Sequence, residues 1–181
     1  MGIGIGIVVG IIVLLILIVF GQYNTLVKLK MKVKQAKSGI EVYCQQRFDL
    51  IPNLIETVKG YMKHEKEVFD NITRLRTEYN NTKDIKVSQE LNRQMNSLIA
   101  VAENYPDLKA SEQFLNLQRN LEKIESQLQA ARRIYNNDVT NYNTKISIVP
   151  YNVIASMFDF ESESLFELED ENARKNIKVE L

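Results

Sequence analysis

The chain has 181 residues with 23 basic and 23 acidic side chains, so its formal net charge is zero. A neutral chain has no long-range attraction for a phosphate backbone, and nucleic acid is not expected among its partners. One cysteine, Cys44, excludes a disulfide within this sequence, and one histidine, His64, excludes a metal site built from several histidines.

The first predicted element is an apolar helix over residues 2–21. This uncharged stretch would rise about 30 Å as a helix, the thickness of a bilayer's hydrocarbon core. Glycine and isoleucine alternate at first, as in a strand, but the alternation stops after Ile7 and a lone strand in lipid leaves its backbone unsatisfied. A signal peptide cleaved after Val19-Phe20-Gly21 is the alternative. The length of the run, with no Lys or Arg before it, favours an uncleaved transmembrane helix.

Gly6 and Gly10 lie four residues apart on one face of this predicted span. In lipid, small residues at that spacing permit close backbone approach between helices, which associate there by packing. Fraying at the interface would make Gly2 and Gly4 unimportant, whereas Gly6 and Gly10 lie deeper. We therefore predict that the spans pack side by side in a homo-oligomer.

Five lysines follow the span before the first acid, Glu41: Lys28, Lys30, Lys32, Lys34 and Lys37. The positive-inside rule therefore predicts a single-pass membrane protein with its N-terminus outside and its body in the cytoplasm. Lys28 and Lys30 lie near enough to the lipid headgroups to interact through a screening length of roughly 8 Å. Membrane lipid is the predicted partner of these two residues.

Residues 22–157 are predicted to form one helical domain. Apolar residues recur every three or four positions in four stripes, over residues 26–43, 54–79, 91–102 and 114–135. Ser88 and Ser111 are the predicted starts of the third and fourth helices. Four stripes of similar width joined by short connections predict an all-α fold, an antiparallel up-and-down four-helix bundle of long, coiled-coil-like helices.

Arg47, Asp49 and Pro52 surround the first predicted break in the domain. Pro52 lacks a backbone donor and disfavours helical angles at the preceding residue, so the sequence predicts either a corner between two helices or a kink in one. Asp49 is expected to cap the new helix or to pair with Arg47. A binding notch is the functional alternative to these local structural roles.

The predicted C-terminal tail covers residues 158–181 and is strongly acidic. Because acidic blocks are usually solvated, an exposed tail is expected, with a docked segment or a partner site as alternatives. Four asparagines lie near the end of the fourth predicted helix and would either make interhelical hydrogen bonds or face water: Asn136, Asn137, Asn141 and Asn143.

Four stretches carry a family resemblance. Three of them are Arg47-Phe-Asp-Leu-Ile-Pro-Asn-Leu-Ile-Glu-Thr-Val-Lys-Gly-Tyr, Tyr105-Pro-Asp-Leu-Lys-Ala-Ser-Glu-Gln-Phe-Leu-Asn-Leu-Gln and Ala131-Arg-Arg-Ile-Tyr-Asn-Asn-Asp-Val. With Tyr23-Asn-Thr-Leu-Val-Lys-Leu-Lys, they resemble the LemA family of membrane-anchored proteins from Tyr23 to about Phe160. The resemblance implies a single N-terminal span, an up-and-down four-helix bundle and no established enzymatic activity. A relative from magnetosome formation indicates membrane organisation as a theme.

No catalytic, cofactor-binding or metal-binding residue is predicted. His64 lies in Lys63-His64-Glu65-Lys66, which is typical of a solvated helix face, and the chain has no glycine-rich phosphate loop. Two function classes remain. One is a non-enzymatic scaffold that self-associates and organises membrane or membrane proteins. The other is an accessory module that binds a protein partner or lipid in an envelope, transport or stress process.

Overall fold

The computed structural model describes residues 2–62, 65–102 and 104–166. Within these ranges the chain forms helices and no strand, as predicted: α1 (Gly2–Asp49), α2 (Ile51–Lys59), α3 (Lys66–Thr82), α4 (Ile85–Ala102), α5 (Pro106–Lys109), α6 (Glu112–Ser147) and α7 (Tyr151–Met157). Two predictions fall on residues outside the described ranges: the solvated position of His64, and the acidic tail over residues 167–181.

Helix α1 begins with a long apolar segment that no other part of the described chain covers. Every residue from 2 to 18 is exposed. By length and composition it is the one helix among the described residues that is apolar and long enough to cross a membrane. The predicted long apolar N-terminal helix is therefore confirmed.

The chain divides into two compact units, and α1 and α6 each contribute to both. The first unit joins Met1–Ser38 to Ala131–Phe166. Its core contains Leu26 of α1 with Ile154 and Ala155 of α7, and five partly buried side chains pack around them: Val19, Tyr23, Ile146, Tyr151 and Phe160. Helix α7 therefore packs against α1 at the end of the apolar segment and just beyond it.

The second unit is formed by Gly39–Ala130. Helices α3 and α4 pack along each other, since only two residues connect them. Lys83 closes α3 in the left-handed conformation (φ 53°). On the other side of this turn the Asp84 carboxylate accepts a hydrogen bond from the Lys86 backbone N–H at 2.7 Å. Asp84 thus caps α4, which begins three residues before the predicted start at Ser88.

Pro52 lies in the first turn of α2, and the chain bends there without turning a corner. Leu50 between the two helices keeps right-handed helical angles (φ −81°, ψ −11°). The Leu54 N–H donates to the Leu50 carbonyl oxygen at 2.9 Å, which continues the helical hydrogen-bond pattern across the break. The helical angles at Leu50 and this hydrogen bond show a kink and not a corner.

The second predicted helix is divided. Its stripe from Leu54 to Tyr79 belongs to α2 and α3, which are separated by residues 60–65. Helix α2 ends at Lys59 before Gly60, a residue that disfavours helix interiors. Periodicity alone missed this break because apolar side chains on both sides of it are buried, among them Val58 and Phe69.

Candidate functional site

The most specific polar arrangement in the first unit lies on the C-terminal half of α6. Asn143 and Asn136 each hold one residue of an extended segment, residues 161–166, by both groups of its backbone. Asn143 donates to the Glu163 carbonyl oxygen at 2.8 Å and accepts from the Glu163 N–H at 2.9 Å. Asn136 does the same with Phe166, at 3.0 and 2.7 Å.

Two tyrosines beside these asparagines bind the same segment. The Tyr142 hydroxyl donates to the Glu161 carbonyl oxygen at 2.9 Å, and the Tyr135 hydroxyl donates to the Ser164 carbonyl oxygen at 2.9 Å. Both hydrogen bonds again reach the backbone of the segment. We call the surface formed by Tyr135, Asn136, Tyr142 and Asn143 the Tyr–Asn face.

The spacing of the Tyr–Asn face matches the geometry of an extended chain. The two Tyr–Asn pairs are separated by seven residues, which is about 10.5 Å along a helix. Their backbone partners are separated by three residues, which is about 10 Å of extended chain. Residue numbers fall along the segment as they rise along α6, so the two run in opposite directions.

The side chains of the segment are held more loosely than its backbone. The Arg132 guanidinium lies 4.7 Å from the centroid of the Phe166 ring, whereas Leu165 is exposed. Burial raises the pKa of the Tyr135 and Tyr142 hydroxyls, and the nearby Glu163 carboxylate raises both further. Both phenols therefore remain neutral donors at physiological pH. The hydrogen bonds of this face therefore reach the backbone of the segment and not its side chains.

The second unit contains a separate polar cleft of about 370 Å³ beside Arg47. Although only 5% of Arg47 is exposed, its guanidinium forms an ion pair with Glu125 and donates from Nη2 to Asn96 at 2.7 Å. The rest of the lining is mainly polar: Ile99, Gln118, Leu121, Glu122, Ser126 and Gln129. The cleft offers amide, hydroxyl and carboxylate groups around one buried cation.

The residues predicted at the helix break do not act as one site. Arg47 turns to α4 and α6, while Asp49 accepts from Gln45 at 2.9 Å and lies 3.6 Å from Arg76. The α2 N-cap residue, Leu50, makes no side-chain capping bond. Asp49 is therefore neither the cap of α2 nor the partner of Arg47, because Glu125 already pairs with that guanidinium.

The remaining predicted residues lie on α1. Gly6 and Gly10 are in its exposed apolar segment, and a side chain added at either position would meet nothing within 4 Å. Lys28 and Lys30 are exposed beyond that segment, and the Lys30 ammonium lies 5.8 Å from the centroid of the Phe160 ring. Among the residues that the structure describes, no group of three or more metal-binding side chains occurs.

Sequence reasoning missed the Tyr–Asn face. It placed Asn136 and Asn143 in contact with another helix or with water, and it favoured an exposed tail over a docked segment. The overlooked indication was the repetition of Tyr-Asn after seven residues, which places both pairs on one helix face. For residues 161–166, the docked alternative is correct.

These features define an all-helical protein with a candidate membrane-spanning helix and no recognisable catalytic constellation among its described residues. The profile of the LemA family matches residues 36–181, and the chain belongs to that family. It is 28% identical over 155 residues to Protein LemA of Metamycoplasma hominis, which covers 83% of this chain and 71% of the relative.

The chain is also similar to two magnetosome proteins of Paramagnetospirillum magneticum, MamQ 1 and MamQ 2. The identity with each is 23% over 176 residues, covering 81% of this chain. The chain spans 65% of the length of these two relatives, slightly less than two thirds. These relatives are consistent with a membrane-associated protein.

Proposed function

We propose that this protein is a non-enzymatic, membrane-anchored helical scaffold that self-associates and organises membrane or membrane proteins. The exposed apolar segment of α1 is the observation that carries the proposal. Residues 2–18 expose nearly all of their apolar side chains, and water disfavours such a surface by about 25 cal/mol per Å². Lipid and neighbouring helices are the environments that remove this cost.

Gly6 and Gly10 support association of the spans. With open space above both glycines, another α1 helix can approach the backbone closely along that face. Similarity to relatives named for the magnetosome supports a role in organising membrane.

The experiment is the oligomeric size of the full-length protein in mild detergent. Gly6→Leu/Gly10→Leu should keep the protein in the membrane but reduce the oligomer, because two leucines hold the helices apart. Val8→Leu/Ile12→Leu is the matched control, since it changes the opposite face of the same two turns. If the parent is a monomer, or if both double variants keep the parent's size, self-association through this face is wrong.

The proposed scaffold also includes the predicted antiparallel four-helix bundle and the orientation with its N-terminus outside. The short α3–α4 connection supports antiparallel packing of those two helices. The five lysines between residues 28 and 37 support the orientation.

An accessory module that binds a partner is the second candidate, and the cleft beside Arg47 favours it. The amides of Gln118 and Gln129 line this cleft, and the Gln129 amide also donates to the Glu125 carboxylate at 3.4 Å. A monomeric parent with a stoichiometric partner that is lost in Gln118→Ala/Gln129→Ala would support this function over the scaffold. Gln127→Ala is the control, because this half-buried amide on the same helix does not line the cleft.

A further inference from the structure

The surface around α7 is uncharged and exposes several large apolar side chains. No charged residue occurs between Lys145 and Asp159. Five large apolar side chains in this stretch are exposed: Ile148, Val149, Val153, Met157 and Phe158. Grouped apolar exposure of this kind marks a surface that contacts a membrane or a partner.

The opposite face of α7 fixes where this surface lies along α1. Ile154 and Ala155 pack with Leu26 and Val19. Just after the helix, the Phe158 ring contacts Tyr23 on one side, with 4.8 Å between the ring centroids, and is exposed on the other. Since residues 2–18 are exposed, these contacts begin in the last turn of the apolar segment. From Val19 to Leu26, α1 rises only about 10 Å.

We propose that residues 148–158 form an interfacial segment that inserts its exposed apolar side chains at the boundary between headgroups and acyl chains. The segment would insert into the leaflet from which α1 emerges at residue 21. The inference therefore rests on the proposed membrane anchoring of α1. An interfacial helix buries its apolar face by about 5–10 Å, and α7 lies at that level of α1. The chain would thus contact the membrane through two elements, the span of α1 and the interfacial segment.

The residues around the interfacial segment favour lipid over a protein partner. Tyr23 and Tyr151 combine an apolar ring with a polar hydroxyl, as is common at membrane interfaces. The Lys145 ammonium lies 3.9 Å from the centroid of the Tyr151 ring, and Lys28 follows on α1, beyond the apolar segment. Five side chains also present only a few hundred Å², less than the roughly 800 Å² per partner of a stable protein interface.

Tryptophan fluorescence tests the proposal, because the chain has no tryptophan of its own. The full-length protein is placed in phosphatidylcholine–phosphatidylglycerol vesicles with or without brominated acyl chains, which quench a nearby indole. Val153→Trp probes the interfacial segment. Leu14→Trp probes the span, and Ile134→Trp on α6 is the matched control. The three positions are exposed to the same extent, at 57%, 57% and 58%.

We expect brominated lipid to quench Val153→Trp at least threefold more than Ile134→Trp, with a blue-shifted emission. Met157→Trp on the same face should show the same quenching and blue shift. This second variant tests the proposal independently if Val153→Trp disturbs the fold. If Leu14→Trp is quenched but both α7 probes are not, the interfacial segment is wrong while the anchoring holds. A blue shift without quenching means a protein covers α7 and also overturns it. If Leu14→Trp is not quenched, the anchoring itself fails.

Discussion

Asn143 holds both backbone groups of Glu163, donating to its carbonyl oxygen at 2.8 Å and accepting from its N–H at 2.9 Å. A side-chain amide carries a donor and an acceptor side by side, so it can replace the pairing of a neighbouring strand in this way. The acidic segment therefore docks through its backbone.

Loss of this amide should release the segment. Asn143→Ala removes two hydrogen bonds, each with a net stabilisation of about 1 kcal/mol, so the Glu163 amide should exchange its hydrogen at least tenfold faster. Hydrogen exchange read by mass spectrometry measures this. Asn141→Ala, an exposed asparagine on the same helix, is the control. Equal exchange in the two variants would show that the Asn143 contacts do not hold the segment.

Alkaline pH should destabilise the second unit through Tyr79. Burial against Phe48, together with Cys44 and Glu41, raises the pKa of Tyr79 to about 12 from 10.0. Because the unfolded phenol ionises first, the stabilisation is complete below pH 10 and is lost as the pH rises through 12. The full loss is about 2–3 kcal/mol.

Thermal unfolding followed by circular dichroism at pH 9 and pH 11.5 tests this pH dependence. Tyr79→Phe should lose less stability between the two pH values than the parent does. Tyr61→Phe, at an exposed tyrosine, should keep the parent's full loss. The explanation fails if Tyr79→Phe is as sensitive to alkaline pH as the parent.

The ion pair of Arg47 with Glu125 should stabilise the second unit mainly by satisfying a buried charge. Glu125→Ala leaves the guanidinium without its carboxylate and should cost about 1–3 kcal/mol, less than a fully buried pair because Glu125 is partly exposed. Adding Arg47→Met should recover part of that loss. The free energies of unfolding of the parent, the two single variants and the double variant, measured in denaturant, form a double-mutant cycle. Glu122→Ala in the same cleft is the control. A double variant less stable than the sum of its single changes would contradict this account.

The body should be inaccessible from outside an intact cell. In a Cys44→Ser background, Ile85→Cys places an exposed thiol in the second unit, and Gly2→Cys places one at the other end of the predicted span. An impermeant maleimide should label only Gly2→Cys before lysis and both variants afterwards. The reverse pattern would invert the orientation that the lysines predict.

Periodicity and hydropathy were enough to predict an all-helical chain with a long apolar first helix. These properties are local, since a run of uncharged residues or a repeat of three and four carries its own information. The same reasoning could not decide between two backbone conformations that the local sequence permits equally. Pro52 permits a corner or a kink, and only the backbone angles at Leu50 in the folded chain identify the kink.

The docked segment and the buried Arg47 were decided by tertiary structure. Arg47 finds Glu125 and Asn96 at separations of 78 and 49 residues, and Asn143 finds Glu163 across the turn and α7. A polar side chain shows by its type that it needs a partner, but not which one. The partner is selected when folding removes water from the group, because an unpaired buried group costs more than the entropy of ordering its neighbour.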